Sequence, residues 1–185
     1  GYDHHFGRNR TATIDDLIEF GKFYGFEVTQ IDAQEIDDVA VSSTKIRKAL
    51  HEGKIDIANQ FLGYHFMLTG TIVKGRGLGS KLNFPTANIY IEEPYKLIPK
   101  DGVYLVQSNF NETQKFGMMN IGKNPTVSKE SKTHIEVHFF DFEGDLYGKR
   151  LKIELLDHLR SEIKFPNLHA LKIQLEKDKY TAKQR

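Results

Sequence analysis

The rhythm of apolar and polar positions changes near Tyr64. Before it, the periods are mostly those of helices. Residues 14–24 set Ile14, Leu17, Ile18 and Phe20 near helical spacing, and Thr13 followed by Asp16 is an N-terminal capping signal. FEVTQI then alternates as a strand would, and SSTKIRKALHEG has a hydroxyl-rich start, a helical body and Gly53 as its stop. A second short helix is predicted over about 54–62, closed by Gly63. This order is the rhythm of half an α/β domain, without the earlier strands that a complete parallel sheet requires.

Beyond Tyr64, FMLTGTIVK, GVYLVQSNF, KFGMMNIG, THIEVHFFDF and KRLKIELLDHL are strand-like runs separated by Gly, Pro, Asn and Lys-rich turns. Several strands on short connections predict an antiparallel barrel or sandwich. From about Asn167 to Lys183, Leu168, Leu171 and Leu175 form one helical stripe, so a single C-terminal helix is expected to pack on the strands.

Composition narrows the possibilities. A chain of 185 residues, 39% hydrophobic and 28% charged, suffices for one globular domain, or one plus a fragment of another. Lys and Arg (26) nearly balance Asp and Glu (25), so bulk charge gives no reason to expect nucleic acid or a membrane surface as partner. The absence of cysteine excludes disulfides, thiolate zinc sites and cysteine nucleophiles, and fits a reducing compartment. Apolar runs such as Phe61 to Leu68 are short and broken by His and Tyr, so none is expected to span a bilayer, and no secretory signal pattern opens the chain. The opening GYDHHFGRNR, without Met, suggests a piece of a longer protein; its adjacent His4 and His5 read as loop residues rather than metal ligands.

The densest candidate chemistry lies in GRGLGSKLNFPTANI, residues 75–89. Gly75, Gly77 and Gly79 match neither the dinucleotide fingerprint nor a Walker loop, and Pro85 leads into extended chain rather than a helix. Glycines can still turn backbone N–H groups toward an anion, with Arg76 and Lys81 adding charge; a plain hairpin loop is the alternative. Thr86 and Asn88 alternate with Ala87, so on a strand both point to one face and offer two neutral oxygen ligands suited to magnesium beside a nucleotide's phosphates. In THIEVHFFD, Ile135, Val137 and Phe139 share one face while His134, Glu136 and His138 share the other. Periodicity alone does not distinguish Glu136 from a solvent-facing carboxylate.

The strings TGTIVKGRGLGSKLNFPTANI, NIGKNPTV, IEVHFFDFEGDLYGKRLKIELLDHLR and KFPNLHALKIQLEKD, in this order over residues 64–180, resemble the successive signatures of riboflavin kinase, in the form found at the C-terminal end of bacterial bifunctional riboflavin kinase/FAD synthetases. Upstream, GYDHHFGRNR and VSSTKIRKAL are similar to the last motifs of the adenylyltransferase half of those enzymes. The resemblance implies a mainly β fold: a six-stranded Greek-key antiparallel β-barrel with a C-terminal helix over 63–185, preceded over 1–62 by a partial α/β, Rossmann-like nucleotidyltransferase fragment.

The implied activity is transfer of the γ-phosphoryl group of MgATP to the ribityl 5′-hydroxyl of riboflavin, giving FMN. By the same resemblance Gly75, Gly79, Lys81 and Pro85 belong to the ATP site, Thr86 and Asn88 hold magnesium and phosphate, and Glu136 is the catalytic base. Arg160 lies in a mobile region expected to close over the flavin, with Phe165 beside it. Ser42, Ser43, Thr44 and Arg47 match the phosphate-binding motif of the adenylyltransferase half. That family's H-x-G-H string is absent, so FAD synthesis is expected only of a full-length protein. The family's usual glycine before F-P-T-A-N is Asn83 here, the cheapest replacement if that residue must adopt positive φ. Lys123 and Asn124 replace Thr-Arg in the next motif. The expected partners are riboflavin and ATP, without nucleic acid or membrane, in the cytoplasm. The alternative is a non-catalytic β-barrel that binds flavin, nucleotide or nucleic acid; it would not need the PTAN and Glu136 constellation.

Overall fold

The computed structural model describes residues 5–30, 32, 35–36, 39–75, 77, 79–110, 112–123 and 133–185, the side chains of Val39 and Lys81 excepted. Two compact units divide the chain, Gly1–Ser42 and Ser43–Arg185. In the first, α1 (Ile14–Tyr24) starts at a capping box, with Asp16 accepting from both the backbone N–H and the hydroxyl of Thr13. It stops at Gly25 in the left-handed conformation. Two short strands follow, β1 (Glu35–Ile36) and β2 (Val39–Ala40), paired antiparallel. Phe26–Gln30, expected as a strand, is irregular. Its first N–H closes the end of α1 on Gly21, and alternation without a partner ladder does not make a strand.

The second unit starts with α2 (Ser43–Glu52) and α3 (Ile55–Leu62). Six strands follow: β3 (Met67–Val73), β4 (Ala87–Tyr90), β5 (Gly102–Phe110), β6 (Thr113–Lys123), β7 (Thr133–Phe139) and β8 (Arg150–Ser161). The last element is α4 (Leu168–Lys183), capped by the Asn167 side chain on the Ala170 N–H. The strands close into an antiparallel barrel in the order β3-β4-β7-β6-β5-β8. In it β5, β6 and β7 pair in sequence and β8 returns beside β5, the Greek-key arrangement.

The barrel is buried on its inside and, over one sector, on its outside. Inward residues including Leu68, Tyr104, Met119, Ile121, Val137 and Ile153 form the main core, joined by Leu50, Ile55 and Ala58 from α2 and α3. These helices therefore belong to the barrel's compact unit, which begins upstream of residue 63. Asn59 of α3 fastens them, donating to the Leu155 carbonyl at 2.9 Å and accepting from the Phe66 N–H at 2.7 Å. On the outer face, Val103, Leu105, Met118, Phe84 and Phe140 meet Ala182 and Leu175 of α4. This explains why β5 is buried without interruption from Gly102 to Val106, where a strand wet on one face would alternate. Bulges in β8 interrupt its register with β5, and Leu156 and Leu159 join this outer cluster.

Two histidines pack into this framework, His138 buried and His158 half-buried. His158 stacks 5.0 Å from the fully buried Tyr104, whose hydroxyl donates to the Lys100 carbonyl, and His138 lies between Phe84 and Phe140. Burial holds both imidazoles below their ordinary pKa of 6.5. An unfolded chain therefore takes up these protons at higher pH than the folded one. Stability is expected to fall as pH drops from about 7 to about 5, and thermal melts should show a shallower decline for His158→Gln, which cannot take up that proton.

Candidate active site

Strand pairing collects side chains that are far apart in the chain. Asn88 on β4 is the register partner of Glu136 on β7, Glu136 of Asn120 on β6, Asn120 of Val103 on β5, and Val103 of Arg160 on β8. Partners in register share a face. One row across five strands therefore aligns a carboxamide, a carboxylate, a second carboxamide, an aliphatic residue and a guanidinium on the barrel's outer face. Most of the inner face is occupied by the core, so this outer row is where these polar side chains can reach solvent.

The glycine-rich loop packs against the start of the row. At Gly75 an added Cβ would lie 2.0 Å from the Asn88 Nδ2, so the backbone itself is in contact with the carboxamide. At Gly79 it would lie 2.2 Å from the Phe84 carbonyl oxygen. Close approach requires glycine at both positions. The turn continues through Ser80–Leu82 to Asn83, which adopts φ +64°, the left-handed conformation that asparagine tolerates better than most residues with a side chain. Thr86 follows, and its Oγ1 donates to Glu136 Oε2 at 3.0 Å. Because Thr86 gives its only hydroxyl proton to the carboxylate, its lone pairs stay available to a hard cation or a phosphate.

Two cavities share this threonine. One, of about 360 Å³, lies under α4 and is lined by Leu82, Phe84, Met118, Glu136, Phe165 and Leu175 among others. The second, of about 340 Å³, is lined by Pro85, Phe139, Phe142, Asp145 and Tyr147. Thr86 lines both. A site with two compartments meeting at one hydroxyl, beside a carboxylate, is arranged for transfer of a group between two substrates.

The riboflavin kinase family model matches residues 62–185. The chain is 39% identical to bifunctional riboflavin kinase/FMN adenylyltransferases of Listeria monocytogenes and Pseudomonas fluorescens, over 96% of its own length and 56% and 57% of theirs. The chain belongs to the riboflavin kinase family. It spans little more than half the length of these curated relatives. A crystal structure described as a macrolide-efflux protein from Streptococcus pneumoniae superposes with a TM-score of 0.87 at 30% identity, covering 100% of this chain and 59% of that one. Among the described residues here, no helix is long and apolar enough to cross a membrane.

Of the residues expected at a riboflavin kinase site, the fold brings together Gly75, Gly79, Pro85, Thr86, Asn88 and Glu136 along the loop and the register row. Arg160 and Phe165 reach the same cavity from the far end of the row. Arg76, Asn124 and the Lys81 side chain lie outside the described residues. Ser43 and Arg47 of α2 line a separate cavity of about 420 Å³ with Tyr64, Phe66 and Lys96. Thr44 lies in the first turn of α2, and Ser42 ends the first compact unit.

Three residues of the site were missed by sequence reasoning. Asn120 becomes visible only through the β6–β7 register. His138 was placed on the face of Glu136, yet its contact is not predictable from alternation: Nδ1 donates to the Pro85 carbonyl at 2.9 Å. Asp178 did leave a signal, a carboxylate on the stripe of Leu171, Leu175 and Ala182. Only 4% exposed, it accepts Arg160 Nε at 3.0 Å and Nη2 at 2.7 Å, and Gln174 Nε2 at 2.7 Å. The Arg160 guanidinium also lies 5.9 Å from the Phe165 ring centroid. It is thus engaged on α4 and joins the cavity's roof to its strand floor.

Removing one partner of such a pair leaves an uncompensated charge at a largely dry position. Asp178→Ala is expected to destabilise the protein by about 3 kcal/mol in chemical denaturation. Lys172→Ala, which loses only an exposed pairing with Glu176 on the same helix, should remain within about 0.5 kcal/mol of the parent.

Proposed function

We propose that this chain transfers the γ-phosphoryl group of ATP to the ribityl 5′-hydroxyl of riboflavin, giving FMN and ADP. The observation that carries the reading is Thr86, common to two cavities and hydrogen-bonded to Glu136. The larger cavity, with Leu82, Phe84, Met118 and Leu175 on its walls, suits a flat apolar ring system, with Arg160 and Phe165 at its edge. The second, beside Pro85 and the aromatic rings of Phe139, Phe142 and Tyr147, suits the nucleotide. The loop from Gly75 through Gly79 and Lys81 lies by the phosphates in this reading.

Glu136 accepts the 5′-hydroxyl proton as the new phosphorus–oxygen bond forms and the bond to ADP breaks. Its hydrogen bond from Thr86 holds the carboxylate toward the junction of the cavities. Magnesium belongs to this reading as well. Thr86 Oγ1 and the Asn88 carboxamide oxygen would hold it, two neutral hard donors on one face, of the kind that serve an ion carried largely by phosphate oxygens. Gly75 fits the same arrangement, because a side chain there would fill the cradle of Asn88. When bound, the ion neutralises charge on the transferring group.

Residues 1–62, of which α2 and α3 pack with the barrel, are proposed as the C-terminal part of an adenylyltransferase sequence, with Ser42, Ser43, Thr44 and Arg47 as its phosphate-binding residues. Alignments over 96% of the chain with bifunctional relatives support this. FAD synthesis is proposed for a full-length protein alone, and a cytoplasmic location without nucleic-acid partner goes with the same reading.

The first test is chromatographic detection of FMN from riboflavin and ATP, with and without magnesium; no product from folded protein would refute the activity. Glu136→Gln should lower kcat at least about tenfold with ATP affinity retained, and an unchanged kcat would remove Glu136 from the base role. Asn88→Ala and Gly75→Ala should each weaken magnesium-dependent ATP binding by calorimetry, the second by displacing the same carboxamide. Equal MgATP affinity in Asn88→Ala would overturn the metal assignment.

A further inference from the structure

The β4–β7 ladder is short. Its register consists of Ala87 with Val137 and Asn88 with Glu136, and it stops there. Thr86 is the first residue beyond the ladder's end. Pro85, immediately before it, has no N–H to donate. Neither residue is held by strand pairing, although the Thr86 hydroxyl must meet Glu136 at a defined distance.

His138 fills this gap. It stands on β7 two places beyond Glu136, on the same outer face, and its ring reaches across to the Pro85 carbonyl at 2.9 Å. The side chain supplies, one step past the last backbone pair, the tie that the ladder lacks. Two anchors therefore define Thr86: its own hydroxyl on Glu136, and the preceding carbonyl on His138. Both anchor residues project from one strand, so Thr86 and Glu136 are held by the same rigid element.

The ring is built for this role. A carbonyl can only accept, so Nδ1 bears the proton and the imidazole is in the Nδ1–H form. Nε2 is buried and has no hydrogen-bond partner among the described residues, and the ring is packed against Phe84 at 5.0 Å and Phe140 at 5.9 Å between centroids. Only 7% of the residue is exposed. Burial, the largest effect, disfavours the charged form, as does Lys179, while the hydrogen bond to the Pro85 carbonyl and Asp141 favour it; the net direction is toward the neutral ring. A neutral imidazole with its free nitrogen buried is poorly placed to exchange protons with substrate, but it is a stiff, permanent donor.

We propose that His138 is a positioning residue for phosphoryl transfer: its Nδ1–H bond to the Pro85 carbonyl extends the β4–β7 pairing and holds Thr86 in register with Glu136. This rests on the kinase reading above for its consequence, though not for its geometry. Small displacements of reacting groups are costly to rate, about a hundredfold for about 1 Å, whereas binding of each substrate draws on contacts spread over its own cavity. The loss should therefore fall on kcat.

His138→Phe keeps a ring between Phe84 and Phe140 but has no donor. His138→Asn restores an N–H at a comparable reach from the backbone. The expected result is a drop in kcat of about tenfold or more for the Phe variant, with KM for riboflavin within about twofold, and recovery of most of kcat in the Asn variant. In a Thr86→Ala background, His138→Phe should add little further loss, since it acts through Thr86. An unchanged kcat, a loss confined to KM, or full additivity with Thr86→Ala would overturn the proposal. Should the Phe variant fail to fold, nitrogen-15 NMR of histidine-labelled parent protein decides the geometry: the Nδ1–H tautomer supports it, and the Nε2–H tautomer refutes it. Absence of FMN formation by the parent would refute the kinase reading while leaving the tautomer result standing.

Discussion

The position of β7 between β4 and β6 is the constraint on which the site depends. A strand shows alternate residues to opposite faces, and here both faces are committed. Ile135, Val137 and Phe139 point into a packed core, so the alternation cannot slip by one residue without driving His134, Glu136 and His138 into it. Burial of the inner face thereby fixes the outer one. Pairing on both sides of β7 then sets Asn88 and Asn120 on either side of Glu136. The hydrophobic effect, which is not directional, becomes a precise chemical arrangement through the hydrogen-bonded register.

The helix α4 supplies what the barrel lacks, a roof. Its apolar stripe covers the outer faces of β5 and β6, and the Arg160–Asp178 pair joins it to β8. An ion pair at this depth is not obviously a source of stability, because desolvation of both charges offsets their attraction. What it provides is a defined contact between the last strand and the last helix. The cavity beneath α4 is lined partly by that helix, through Leu171 and Leu175, and partly by strands, including Val103 and Met118. Its shape therefore depends on the two staying in a fixed relation.

The glycine-rich segment shows how local sequence signals can be right in kind and incomplete in reason. Its glycines read as freedom for backbone N–H groups to turn toward an anion. In the fold, Gly75 and Gly79 are required because a neighbouring carboxamide and a carbonyl leave no room for a side chain. Such contacts join residues that are close in sequence, yet only the closed turn brings them together. Asn83 is the simpler case, since the preference of asparagine for the left-handed region is a property of the residue and was legible beforehand.

By itself the sequence determined the capping box of Thr13 and Asp16 that opens α1, the glycines that follow α2 and α3, the run of strands after Tyr64, the two faces of the Glu136 strand, and the motifs that resemble a riboflavin kinase. These are local matters: backbone propensity, capping and alternation are written within a few residues of where they act. The strand expected at FEVTQI is irregular over Phe26–Gln30, because pairing is not local and a suitable pattern with no partner among the described residues does not make a strand. Tertiary structure alone decided that Asn120 and Arg160 share a row with Glu136, that Asp178 receives Arg160, and that His138 reaches Pro85. Each of these depends on register, bulges or helix placement, which are settled by the simultaneous packing of elements far apart in the chain, and no periodicity within one segment records them.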